Sequence, residues 1–163
     1  MTDWQTPKEL YEGLDECVGG FLVDAAASGS NHLHPTTWYG PGSSLNEDAL
    51  AVPLWLSPAF CNPPYGRGIN KWLAKFNEQQ QRGVTVVALL PARVETRWWY
   101  EGVVSFASIV FLVGRVPFVD PNRTKPTQPD HPSAICLYEP GVVGGSVAWL
   151  DWKERLGALH PSK

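Results

Sequence analysis

The sequence predicts an α/β domain in which helices cover both faces of a mostly parallel sheet, a three-layer arrangement. Three observations carry that expectation. Val84-Thr85-Val86-Val87-Ala88-Leu89-Leu90 is almost wholly apolar and β-branched, as a central strand covered on both faces must be. Ile69, Trp72, Leu73 and Phe76 recur at the i, i+3, i+4, i+7 spacing of a helix with one buried face. Short apolar runs alternate with such helical stretches along the chain, the order that builds parallel sheets.

Taken in order, Phe21-Leu22-Val23 reads as a buried strand that runs into Asp24 and the small residues Ala25-Ala26-Ala27-Ser28-Gly29, where a ligand can approach the backbone. Thr36-Thr37-Trp38-Tyr39 is a second strand candidate, and Ala59-Phe60-Cys61 a third that leads into a double proline. The helix from Ile69 stops at Gly83, and Pro91 ends the central strand. A second helix is expected over about Glu95–Val104. Ile109–Val113 and Ala134–Tyr138 are further strands, separated by a polar, Pro-rich loop or hairpin from Gly114 to Pro132, and Val147–Leu159 reads as a strand followed by a helix.

At 163 residues the chain suits a single domain spanning 1–163. It has neither a membrane-length apolar run nor the layout of a secretory signal, so a soluble, intracellular protein is expected. Cys17, Cys61 and Cys136, odd in number and set among apolar residues, suit reduced core thiols, and no metal site is expected. His32, His34, His131 and His160 lack ligand spacing and read as surface or structural residues. The net charge of −3 hides a division. Residues 1–66 hold one base against eight acids, which suits a cationic ligand, whereas residues 67–125 hold nine bases against four acids, which suits a polyanion. The alternative is a set of ordinary solvated charges that never converge.

Asn62-Pro63-Pro64-Tyr65 follows the third strand and precedes the Ile69 helix, the place where open α/β sheets bind ligands. Two prolines fix φ and remove two donors, which leaves a stiff loop with carbonyls available as acceptors. The Asn62 amide oxygen and the Pro63 carbonyl can take both hydrogens of an exocyclic amine and hold its lone pair toward an electrophile, while the Tyr65 ring offers a stacking face. A base would have to leave its duplex to reach such a loop. The bland reading is a rigid turn with a buried tyrosine; the strand–loop–helix setting and an acidic residue at an earlier strand end favour the catalytic one.

Seven separated stretches resemble the compact phage-type DNA N6-adenine methyltransferases. These are Trp4-Gln5-Thr6-Pro7, Phe21–Ala27, Asp48-Ala49-Leu50 with Trp55, Asn62–Gly66, Leu89–Arg93, Thr96–Trp99 and Phe111–Arg115. The resemblance implies a Rossmann-like class I methyltransferase fold, S-adenosylmethionine as cofactor, DNA as partner, and a phage or prophage setting in the host cytoplasm, with no obligate protein partner. It places Trp4, Thr6 and Pro7 at the border of the cofactor, Asp24 and Ala25 against its methionine portion, and Asp48 toward its adenosine or ammonium. Asn62, Pro63, Pro64 and Tyr65 become the catalytic loop, with Asn62 also bordering the cofactor. The glycine-rich turn usual after the first strand of such enzymes is replaced by Ala25–Gly29. Asp24 has a second reading as the N-cap of a following helix.

Arg67, Arg93, Arg97, Trp98, Arg123 and Lys125 are the candidates for DNA contact, against surface salt bridging and core packing for part of the set. The other functions weighed are methylation of RNA or of a protein glutamine amide, a non-catalytic DNA-binding relative, and a metal-dependent nuclease built on Asp24, Glu47 and Asp48.

Overall fold

The structure is a computed structural model that describes residues 4–34, 36–120 and 129–157. Its centre is a six-stranded sheet in the order β1-β2-β3-β5-β4-β6. The strands are β1 (Val23–Asp24), β2 (Ala59–Cys61), β3 (Val86–Pro91), β4 (Ser108–Leu112), β5 (Ser133–Tyr138) and β6 (Val147–Leu150). β1, β2 and β3 pair in parallel, as do β4 and β6, whereas β5 runs antiparallel between β3 and β4. The sheet is thus mostly parallel, and β3, expected among its central parallel strands, is parallel to β2 but antiparallel to β5. The reason is topological: the connection after β4 turns back at the end of the sheet where β3 and β4 finish, and β5 enters between them from there.

β3 is buried along its whole length, and its side chains alternate between two cores. Val86, Ala88 and Leu90 join Leu73 and Phe76 of helix α2 (Ile69–Gln81). Val87 and Leu89 join Leu10, Tyr11 and Leu14 of helix α1 (Lys8–Val18), with Trp152 from helix α4 (Trp152–Gly157). A continuous apolar strand is required for this, because neither face meets water.

α1 is a helix that the sequence reading omits. Its signals are nonetheless present: Leu10, Tyr11 and Leu14 form an apolar stripe, Pro7 sits at the N-cap with φ −55°, and Gly19 closes it in the left-handed region. α2 runs as its spacing predicts, but it also buries Gln79 and Gln80. Gln79 is fully buried because it caps a loop: its Oε1 accepts from Trp55 N at 2.7 Å and its Nε2 donates to Pro53 O at 3.0 Å. Gln80 Nε2 lies within 3.1 Å of the carbonyl oxygens of Phe106, Glu139 and Val142. The two amides tie α2 to three separate connections.

Four further expectations are corrected. The first strand is Val23–Asp24 and not Phe21–Val23, since its partner β2 begins only at Ala59, opposite Val23. Thr36–Tyr39 runs beside β1 but forms a single parallel bridge, Asp24 to Trp38, because a two-residue strand offers it no longer partner. The helix expected over 95–104 is a short α-turn, α3 (Arg97–Trp99), continued as a π-helix over Tyr100–Val104. A Cβ on Gly102 would stand 2.6 Å from Leu73 Cδ1, so the wider π-turn lies directly on α2. Finally, Cys61 and Cys136 are buried thiols, but Cys17, on the outer side of α1, is exposed. Within the polar connection 114–132, Val116 and Phe118 are buried and Gln5 bridges Val119, so this stretch is packed where it is described. Among the described residues no helix is long and apolar enough to cross a membrane.

Two tests follow from this packing. Gln79→Leu removes the acceptor of a buried N–H and is expected to lower stability by about 1–3 kcal/mol in denaturant titration, with circular dichroism unchanged before the transition. Under native conditions a thiol reagent should modify Cys17 alone, and Cys61 and Cys136 should react only on unfolding, as mass spectrometry of the modified chain will report.

Candidate functional site

A cleft of about 590 Å³ opens beyond the carboxyl ends of β1 and β2. That size lies within the ordinary range for small-molecule sites. Its floor is made where the chain leaves β1: Asp24 is followed by Ala25, Ala26 and Ala27, whose small side chains leave the backbone open to the cleft. Ala25 N bonds Phe60 O at 2.8 Å and Ala27 N bonds Tyr39 O at 3.0 Å, which fixes this exit between two neighbours. Gly40 lies so close that a Cβ there would be 1.7 Å from Ala27 O, and its φ of +142° also requires glycine. An alanine run held by backbone bonds on both sides here takes the place of a glycine-rich turn.

Asp24 is 3% exposed and borders this cleft. Its Oδ2 accepts from Leu33 N at 2.9 Å. Burial pushes its carboxyl up to about 6, against the lowering effect of the Leu33 and Ala26 N–H groups and of His32. No helix follows Asp24, so the N-cap alternative is set aside. Asp48 instead is the cap: its Oδ1 accepts from Leu50 N at 2.9 Å and opens the 3-10 turn Ala49–Ala51. Asp48 and Glu47 border the cleft and are exposed.

Asn62, Pro63, Pro64 and Tyr65 line the same cleft. Asn62 Nδ2 donates to Thr6 Oγ1 at 3.1 Å and to Trp4 O at 3.3 Å. A main-chain carbonyl only accepts, so the amide is oriented with Nδ2 toward Trp4 and Oδ1 away from it. Tyr65 then donates its hydroxyl to Asn62 Oδ1 at 2.8 Å, with Leu89 O a second acceptor at 3.2 Å. Burial pushes the Tyr65 phenol up from its ordinary value, which keeps it a donor. An amide oxygen has two lone pairs, and Tyr65 occupies one. The amino-terminal stretch is held in place by Gln5, which exchanges backbone bonds of 2.7 and 3.0 Å with Val119, and by the edge-on contact of Trp4 with Phe118 at 5.9 Å.

The structure therefore brings together Trp4, Thr6, Asp24, Ala25, Asp48 and Asn62 from the expected cofactor set. Pro7 is absent from the lining and serves as the N-cap of α1. A second hollow, about 440 Å³, shares Tyr65 and His131 with the cleft and adds Arg67, Arg93 and Trp98. Arg97 is not part of it; its side chain is 82% exposed and pairs with Glu101 at 3.0 Å, one helical turn on. Arg123 and Lys125 lie outside the described residues. His131, which reads from sequence as a bystander, borders both hollows and meets the Tyr65 ring edge-on at 5.7 Å. His34 has the structural role expected, its Nδ1 accepting from Thr37 N at 2.9 Å. Sequence reasoning also misses two aromatic walls of the cleft: Phe118, which arrives from a connection with no motif, and Tyr39, which is read only as the end of a strand candidate. Among the described residues no three His, Cys, Asp or Glu side chains converge as a metal-binding set, so the carboxylates weighed for a nuclease are not assembled as one.

Residues 2–142 match the DNA N-6-adenine-methyltransferase (Dam) family. The chain is similar to the DNA N-6-adenine-methyltransferase of Haemophilus phage HP1 (strain HP1c1), 24% identical over 163 residues that cover 98% of this chain and 88% of the relative. It is also similar to the DNA N-6-adenine-methyltransferase of Escherichia phage T1, 27% identical over 112 residues, 67% of this chain and 44% of that relative. The matched part thus spans less than half of the T1 protein's length. With a match over most of its sequence, including every described residue of the Asn62–Tyr65 loop and of the cleft around it, the chain belongs to the DNA N-6-adenine-methyltransferase (Dam) family of enzymes.

Proposed function

We propose that this chain, as one Rossmann-like three-layer domain, transfers a methyl group from S-adenosylmethionine to N6 of an adenine swung out of DNA. The observation that carries this reading is the locked amide of Asn62, whose Oδ1 keeps a lone pair for a substrate amine beside a cleft floored by a buried carboxylate. Family membership supplies the target class.

The residues present fit the cofactor. Asp24 is a buried carboxylate that accepts from backbone N–H groups and is flanked by a small-residue backbone, so a cationic amino group entering the cleft would relieve its desolvation. The cofactor, when bound, supplies an electrophilic methyl on a sulfonium. Trp4, Thr6, Ala25 and Asp48 border the same space. Asn62 Oδ1 and the Pro63 carbonyl accept the two N6 hydrogens, which turns the nitrogen lone pair toward the methyl. Positive charge that grows on nitrogen during transfer is stabilised by these fixed dipoles more than the neutral amine is. Tyr65 holds Asn62 Oδ1 from the other side and presents its ring to the base. Stacking there offsets part of the cost of leaving the duplex. Arg67, Arg93 and Trp98 line the hollow that Tyr65 also borders, which supports DNA contact there.

Asn62→Ala is expected to reduce turnover by about two orders of magnitude or more while the cofactor still binds. Single-turnover transfer of labelled methyl to adenine-containing DNA, beside cofactor titration, checks both halves; activity near the parent value overturns the assignment. For Asp24 the sign is set by a folded pKa raised to about 6 from 3.8. The protonated folded form is favoured, so this group's contribution to stability is full below about pH 4 and is lost as pH rises through about 6. Asp24→Asn is therefore expected to raise the melting temperature of the free protein at pH 8 and to weaken cofactor binding. The parent's cofactor affinity should fall as pH drops through about 6, a dependence that the variant lacks. Calorimetry across this pH range decides, and a pH-independent parent would return Asp24 to a purely structural role.

A further inference from the structure

The second hollow has the composition of a nucleotide site, but it is not where the target amine is gripped. Neither Asn62 nor Pro63 borders it, so a base seated there leaves its exocyclic group away from both acceptors. Its walls are apolar at Ile69 and Pro91 and aromatic at Trp98, with the guanidinium groups of Arg67 and Arg93 alongside. Arg67 makes no ion pair among the described residues, and Arg93 bonds Glu95 through Nε alone, at 2.8 Å, which leaves its Nη edge for an anion.

The platform is braced. Thr96 closes the loop after β3, its hydroxyl donating to Arg93 O at 2.6 Å and accepting from Trp99 N at 3.3 Å. Trp98 is half-buried and rests edge-on against Trp99 at 5.9 Å; Trp99 is buried and stacks on Phe111. An indole fixed in this way offers a face without loss of side-chain freedom on binding. Tyr65 and His131 form the partition shared with the cleft.

We infer that this hollow is a second nucleotide subsite, which takes the nucleotide adjacent to the target adenine on the same strand, its base against Trp98 and its phosphate against Arg67 and Arg93. Neighbouring nucleotides are joined by one phosphate, and the two hollows are themselves neighbours, with Tyr65 and His131 as their common wall. The inference rests on the proposed adenine chemistry for the identity of the first nucleotide, and it makes Trp98 the stacking partner of the base beside the target, whichever base that is.

The test is a fluorescence-anisotropy titration of the full chain with short single-stranded oligonucleotides that contain one adenine, with an abasic residue on its 5′ side, on its 3′ side, or in its place. In the parent, one of the two neighbouring abasic substitutions is expected to weaken binding by about tenfold, the scale of one lost base–aromatic stack. Trp98→Ala should bind the intact oligonucleotide about tenfold more weakly and be indifferent to that same substitution, whereas Trp98→Phe should retain most of the parent's response. Equal penalties in parent and Trp98→Ala overturn the inference. So does a Trp98→Ala variant that becomes indifferent to loss of the adenine itself, which would seat the target base in this hollow. Should Trp98→Ala not fold, Arg67→Gln decides: a slope of log affinity against log salt reduced by roughly one supports the subsite, and an unchanged slope rejects it. Anisotropy needs no turnover, so failure of the methyl-transfer reading is seen separately, as parent protein that binds the intact oligonucleotide without methylating it.

Discussion

The orientation of one amide group governs the rest of the site. Asn62 has a donor end and an acceptor end, and only the acceptor end can polarise an amine. The Trp4 carbonyl and the Thr6 hydroxyl take the donor end, and the Tyr65 hydroxyl fixes the acceptor end from the side. The Asn62–Tyr65 loop alone does not decide this. A stretch of chain 56 to 58 residues earlier has to be laid across the loop, and Gln5, Phe118 and Val119 hold it there. Preorganisation is in this sense a property of the amino terminus and of the connection after β4 as much as of Asn62-Pro63-Pro64-Tyr65.

The same constraint applies at the Asp24 end of the cleft. A buried carboxylate is costly unless it is hydrogen-bonded or paired. Asp24 has backbone donors and a cleft in front of it, yet burial still raises its carboxyl, so the backbone bonds offset its desolvation only in part. The small residues that follow are there because the backbone itself forms the floor, and Gly40 supports it from behind at a distance no side chain would tolerate. Between these two halves stands Tyr65, whose hydroxyl belongs to the Asn62 network while its ring divides the cleft from the Arg67 and Trp98 hollow.

The charge division along the sequence is informative at a few positions and silent at most. Of the acids in the first part, Asp24, Glu47 and Asp48 reach the cleft, but Glu12 pairs with Lys8 on the surface of α1. Of the bases that follow, Arg67 and Arg93 converge on the second hollow, while Arg82 and Arg97 are spent on Glu78 and Glu101 along their own helices. A one-dimensional count sees both kinds alike. Pairing at i, i+4 is nonetheless legible in the residue order, since Arg97 has Glu101 at that spacing and Arg93 has no acid there.

By itself the sequence determined the sheet's main strands, the helix from Ile69, the Asn62–Tyr65 loop between strand and helix, and the family, because these rest on local signals: periodicity of apolar residues, proline-fixed dihedrals and a motif in an ordered context. It also contained the α1 helix in its apolar stripe and its closing glycine. Only the tertiary structure decided that β5 enters the sheet antiparallel, that Gln79 and Gln80 are buried, that Cys17 faces out and that Pro7 caps a helix while its neighbour Thr6 holds the Asn62 amide. Each of these depends on a partner distant in the chain, and contact at long sequence separation leaves no periodic trace in either of the segments that make it.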